Sequence, residues 1–337
     1  MLVGGDDATN REVFTGLLNA EGHTMIKGWC RRIDISSYEA PGAHYLGHSE
    51  AWIRIADVLK NPFVRIAVAL VSIAVPFGVV ATPFNLFVSD KSLKRVGALL
   101  LTAIVLVAYW AYVRTIEKRP VVELSGTRMF RELGVGVLLG ALLFCVTVGL
   151  LAALGVYEVT GINGWAAMLA TLPGFILFGV LEELVMRGIV FRIVEQSLGS
   201  WLALTISAAI FGLLHLVNPG TTLLNAGSVM IEAGVMLAAA YMVTRRLWLC
   251  IGIHAAWNFA EGGIFSGAVS GGGSQGLLQA KLTGPTWLTG GPFGVEGSVV
   301  ALAICAAAGI LLVAEAVRRG GIVKPFWSAR SSAGRIT

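Results

Sequence analysis

The chain's 337 residues are 56% hydrophobic and only 13% charged, with a mean hydropathy of +0.77. Soluble domains carry roughly 25% charged residues, so this balance excludes an ordinary soluble fold and points to an all-α polytopic membrane protein. The net charge of +5 and the pI near 9.2 fit the Lys/Arg excess of cytoplasmic loops better than a nucleic-acid partner.

Residues 1–48 are Gly-rich and weakly patterned, with Met25 an alternative start. His44 and His48 are four apart, but Pro41, Gly42 and Gly47 oppose a helix that would present both to a metal. Ser49–Lys60 (SEAWIRIADVLK) sets Trp52, Ile55, Ala56 and Leu59 on one face, the pattern of an interfacial helix on the inner leaflet. The first apolar run is too long for a signal-peptide core and reads as the first span.

Runs of apolar residues long enough to cross a ~30 Å hydrocarbon core must be helices. About eight are read, at 64–88, 96–114, 133–156, 165–190, 201–217, 224–244, 247–265 and 298–317. The implied organisation is a cytoplasmic N-terminal segment over 1–62 (with the interfacial helix at 49–60), a transmembrane domain over 63–318 with a catalytic core at about 165–262, and a tail over 319–337.

Basic residues cluster on alternate connections. Arg114, Lys118, Arg119, Arg128 and Arg131 follow the second run, Arg192 the fourth, and Arg245 and Arg246 the sixth; Arg318, Arg319, Lys324, Arg330 and Arg335 close the chain. The connections 157–164 and 218–223 hold no Lys or Arg, and 266–297 has only Lys281. This alternation predicts a cell-membrane protein with both termini cytoplasmic. The 89–95 turn, with Lys91, Lys94 and Arg95, dissents. The Gly-rich 266–297 loop lacks the GK(S/T) ending and following strand of a phosphate loop. The four cysteines (Cys30, Cys145, Cys250 and Cys305) are scattered without a CxxC pair, so they form neither a disulfide framework nor a zinc cluster.

The fourth run carries the sequence's main anomaly. Glu182, Glu183 and Arg187 (EELVMR) lie inside it, and three charges facing lipid would cost about 8–10 kcal/mol on insertion scales. They must therefore face protein or a wet cavity. Glu183 and Arg187 are i,i+4 neighbours and can pair, while Glu182 lies about 100° around the helix. A structural ion pair would explain these three alone. Phe211 and His215 in the fifth run, and His254 and Asn258 in the seventh, are also i,i+4 pairs. Two His, two Glu and an Asn converging from three helices suit acid/base chemistry in a low dielectric. Glu232 is another carboxylate in an apolar run, with cavity lining and structural pairing equally open.

The ordered set Glu182-Glu183-x-x-x-Arg187, Phe211-x-x-x-His215 and His254-x-x-x-Asn258 resembles the CAAX prenyl protease and bacteriocin-processing (CPBP) family of intramembrane proteases. All three motifs match without departure, over about 77 residues. The resemblance implies a helical core around a hydrated cavity and an endopeptidase acting on membrane-associated proteins or peptides at the lipid bilayer. By the same likeness, Glu182 is the general base and His215 orients the water. His254 and Asn258 stabilise the oxyanion, Phe211 packs beside the cavity, and Glu183 pairs with Arg187 or shares the base role. Spacing does not decide between the two Glu. Metal-free catalysis is favoured because HExxH is absent; a zinc alternative would use Glu182, His215 and His254. The competing readings are a non-catalytic scaffold or immunity protein, and a proton-coupled transporter, the latter weakened by the lack of internal repeats. The span limits put His215 nearer the outer end than Glu182, so a tilted or displaced fifth span is needed to bring them together.

Overall fold

The computed structural model describes residues 61–328; the expected interfacial helix at 49–60 and the His44/His48 pair lie outside them. Helix α1 (Pro62–Phe87) begins where the Asn61 side chain accepts from the Phe63 and Val64 amides, with Pro62 in the first turn. Helix α2 (Lys91–Thr115) is capped by Asp90, which accepts from Ser92 and Leu93. The cap starts α2 before its apolar run, so Lys91, Lys94 and Arg95 belong to the helix's opening turns and not to a connecting loop. Helix α3 (Met129–Ala153) follows.

Helix α4 (Trp165–Glu183) continues as a π-helical segment, Leu184–Phe191, into α5 (Arg192–Leu214) and a 3₁₀ turn, His215–Val217. Helices α6 (Leu223–Val229) and α7 (Met236–Thr244) are joined by π-helical Met230–Val235, and α8 (Trp248–Asn258) ends in π-helical Phe259–Ile264. A short α9 (Thr286–Thr289) precedes α10 (Val299–Arg318). Two strands, β1 (Tyr157–Ile162) and β2 (Leu278–Leu282), pair antiparallel and tie the α3–α4 connection to the long loop before α10.

The protein is an all-α polytopic membrane protein, and among the described residues six helices are long and apolar enough to cross a membrane. The eight expected spans are not reproduced as eight separate helices, for two reasons. The fourth and fifth runs form one 53-residue helix, Trp165–Val217, folded at Gly199 with φ 78° and ψ 170°. Glycine reaches that region without steric cost, so the chain turns a corner with no proline or polar loop to announce it. Residues after α10 pack into the corner, where the Ser200 amide donates to the Val323 carbonyl at 3.0 Å and the Val323 amide to Ser200 Oγ at 2.8 Å. The seventh run is the 11-residue α8 plus a 6-residue π-helical turn, shorter than the six long helices.

One end of the bundle is held by ion pairs. Glu117, just after α2, accepts from Arg65 on α1 at 2.9 Å, Arg119 at 2.7 Å and Arg192 on α5 at 2.9 Å. Glu123 pairs with Arg119 at 2.5 Å and with Arg192 at 3.5 Å. Arg246 pairs with Glu132 of α3, and Arg245 with Glu195 of α5. The basic residues that mark these connections in the sequence are thus also their fasteners. Because α1 starts here and Val323 docks here, both ends of the described chain meet the same end of the bundle.

The helices that carry the site are set by glycine crossings. On α3, Gly136 faces Gly252 of α8 and Gly140 faces the Ile253 backbone. A Cβ at Gly140 would lie 2.3 Å from the Ile253 carbonyl oxygen, and one at Gly252 would lie 2.6 Å from that of Leu133. Small residues allow this backbone-to-backbone approach where lipid offers no hydrophobic drive for association. On its other side, α8 meets α4 where Gly179 abuts Ala255.

Two expectations follow. Gly140→Ala should cost about 1–3 kcal/mol by overpacking and lower the melting midpoint in detergent, whereas Gly149→Ala, with nothing near its Cβ, should change stability by less than about 0.5 kcal/mol. Equal midpoints would remove the crossing's importance. Burial by itself would raise the Glu117 carboxyl, but Arg192, with Arg65 and Arg119, lowers it from 4.5 to about 2. A depressed folded value contributes stability that is complete above 4.5 and lost as pH falls towards 2. Wild type should lose thermal stability across that window, and Glu117→Gln should start lower and fall less steeply.

Candidate active site

The two adjacent carboxylates at the end of α4 have different surroundings. Glu183 is fully buried. Its Oε1 accepts from Arg187 Nη1 at 2.9 Å and from His254 Nδ1 at 2.8 Å. Its Oε2 has no partner. Arg187, 1% exposed, donates its other terminal nitrogen to the carbonyls of Ala233 and Gly234, the second at 3.2 Å, and its guanidinium lies 5.1 Å from the Phe211 ring centroid. Glu182 keeps 33% of its side chain exposed, with Oε2 3.7 Å from His254 Nε2.

Two cavities meet at this point. The larger, about 380 Å³, has an apolar wall from α1 and α4, and Glu182, Phe211, His215 and Asn218 at its polar end. The smaller, about 30 Å³, is reached by His215, His254, Asn258, Glu232, Ser270 and Glu296. Phe211 and His215 border both. Glu182 and His215, which the span limits set apart, line one cavity. The helix that carries His215 tightens to 3₁₀ there.

The hydrogen bonds also specify what each imidazole presents. The Phe211 carbonyl can only accept, so His215 Nδ1, 2.8 Å away, is the protonated nitrogen. The Glu183 carboxylate likewise fixes the proton on His254 Nδ1. Both rings therefore leave Nε2 free of these anchoring bonds. In the neutral ring Nε2 accepts a hydrogen bond, and it donates only in the imidazolium form.

All seven residues singled out by the motifs thus sit at these two adjoining cavities or in the network beneath them. Glu232 lines the smaller cavity, and its Oε1 has no partner. Among the described residues no three His, Cys, Asp or Glu side chains are grouped closely enough to form a metal-ligand cluster. Sequence reasoning missed Glu261, Ser270 and Glu296. The first was a detectable signal, a carboxylate inside the seventh apolar run; the others lie in the loop and turn before α10, where polar residues are unremarkable.

Residues 163–260 match a family model described as type II CAAX prenyl endopeptidase Rce1-like. The segment is similar to that family. It runs from just before α4 to just after α8 and contains all three motifs, in agreement with the resemblance read from them. No curated protein and no solved structure matches the chain.

Within the Rce1-like segment, the burial of Glu183 and Arg187 gives a test that needs no substrate. Arg187→Ala would leave a buried carboxylate uncompensated and should cost about 3–5 kcal/mol in detergent unfolding. Glu182→Gln should cost less than about 1 kcal/mol. Similar losses in both variants would mean that the two carboxylates are not separated in this way.

Proposed function

We propose that the chain is a CAAX-protease-like intramembrane endopeptidase that cleaves membrane-associated proteins or peptides with a Glu-activated water. The observation that carries this reading is the 3.7 Å separation between Glu182 Oε2 and His254 Nε2 at the polar end of a cavity of about 380 Å³. It is too long for a direct hydrogen bond but suits two groups that share one water. The apolar wall of Leu70, Ile73, Ala74 and Phe77 suits a hydrophobic substrate segment presented from the bilayer.

In this mechanism Glu182 takes a proton from the shared water, and the resulting hydroxide adds to the scissile carbonyl carbon. His215, with Nδ1 held by the Phe211 carbonyl, orients that water through Nε2. Negative charge builds on the carbonyl oxygen, where the Asn258 amide and the Nε2–H of His254 in its imidazolium form donate to it. Collapse breaks the C–N bond, and the proton held by Glu182 passes to the leaving amine. Glu183 and Arg187 keep the His254 ring oriented and do not touch substrate. No step is routed through a metal.

Purified protein in detergent, offered a peptide library, should yield defined cleavage products. Glu182→Gln should lower kcat by about 10²-fold or more, and His215→Ala should also lower it, both with the fold retained. Chelator should leave wild-type cleavage unchanged. Equal cleavage by wild type and Glu182→Gln would remove Glu182 from the base role, and loss to chelator with recovery on adding zinc would replace this mechanism by a metal-dependent one.

A further inference from the structure

Glu232 and Glu296 line the smaller cavity and Glu261 lies against Glu296, an acidic group that the proposed reaction does not use. Glu232 comes from the π-helical segment between α6 and α7, Glu261 from the one after α8, and Glu296 from the 3₁₀ turn before α10. They are 4%, 0% and 7% exposed. The Glu296 amide donates to Glu261 Oε1 at 3.2 Å, and Ser270 donates its amide and hydroxyl to Glu296 Oε1 at 2.5 and 2.8 Å. Glu232 Oε1 and Glu261 Oε2 have no partner. No Lys or Arg lines the cavity, and the buried Arg187 is already committed to Glu183, Ala233 and Gly234.

Burying carboxylates without donors is costly unless positive charge or hydrogen bonds compensate them. Here Glu232, whose buried Oε1 has no partner, lines a small cavity of mixed polar and apolar character. A volume of about 30 Å³ has room for roughly two waters, enough for a small ion but too little for a guanidinium. The neutral oxygens available beside the carboxylates are the Ser270 hydroxyl and the Asn258 amide. Carboxylate, hydroxyl and amide oxygens match hard cations, and the His215 and His254 rings that also border the cavity are anchored through Nδ1 to the Phe211 carbonyl and to Glu183.

We propose that this cavity is a binding site for a small monovalent cation, held between Glu232 and Glu296. A bare ion from solution and a primary ammonium group share the required chemistry. The second source could be the amine freed by peptide cleavage beside His254, and that source alone rests on the proposed function.

The test is melting of the full-length protein in detergent, with sodium, potassium or methylammonium chloride exchanged for N-methylglucamine chloride at constant ionic strength. The expected result is a saturable rise in midpoint with one of the small cations, absent in Glu232→Gln, which keeps the side-chain shape without the charge. A rise with sodium or potassium alone identifies a metal-ion site, and a rise with methylammonium alone identifies an amine subsite. Identical wild-type midpoints in all four salts overturn the proposal, whether or not Glu232→Gln folds. Because binding is read without turnover, failure here is distinct from failure of the protease reading.

Discussion

The fully buried carboxylate of Glu183 is the constraint around which the functional half of the molecule is arranged. One of its oxygens accepts from both Arg187 and His254, joining the end of α4 to α8. Arg187 extends the connection to the Ala233 and Gly234 carbonyls between α6 and α7. A single ion pair therefore fixes three parts of the bundle and the orientation of one imidazole. In a low-dielectric interior such a network is costly to leave half-made, which restricts the arrangements the helices can adopt.

From this anchor the division between the two glutamates follows by geometry. Adjacent residues on a helix diverge by about 100°, so with Glu183 committed inward, Glu182 is turned to the cavity. One carboxylate is held by fixed donors and the other keeps a third of its side chain exposed beside the His254 ring. The sequence spacing allowed either glutamate in either role; the packing of α8 against α3 and α4 supplies the asymmetry. The same packing explains why backbone-level glycine contacts at Gly136, Gly140 and Gly252 matter to chemistry one turn away at His254.

Much of this was legible in the sequence because membrane burial makes charge expensive. Long apolar runs located the helices, and the few ionisable residues inside them marked the candidate site. What escaped reading depended on features without a compositional signature. Gly199 turns a corner within a continuous helix, and nothing distinguishes it in sequence from the many glycines that serve close packing. The three π-helical segments alter which side chains meet, yet their sequences read as ordinary apolar helix. Tyr157–Ile162 and Leu278–Leu282 are weak strands individually and pair only because the loops before α4 and α10 lie side by side. Glu296 escaped for a different reason. It precedes an apolar run and reads as solvent-facing, but the fold of the 266–297 loop buries it.

The two ends of the bundle solve opposite problems. At the end marked by Glu117, Glu123, Glu132 and Glu195, carboxylates are matched by arginines, and several elements are tied together by charge-assisted bonds. Around Glu182 and Glu232 the polar groups are only partly satisfied, and all three π-helical segments occur there. π-helical turns cost regular hydrogen bonding and recur at functional sites. The distribution has a physical logic. A site with the proposed role of accepting water, peptide and developing charge has to keep donors and acceptors unpaired, and unpaired groups destabilise the structure that holds them. The ion pairs around Glu117 and Glu123 and the glycine crossings beneath α8 supply rigidity without occupying the site, so the incompletely paired groups around Glu182 and Glu232 are held in place by contacts outside it.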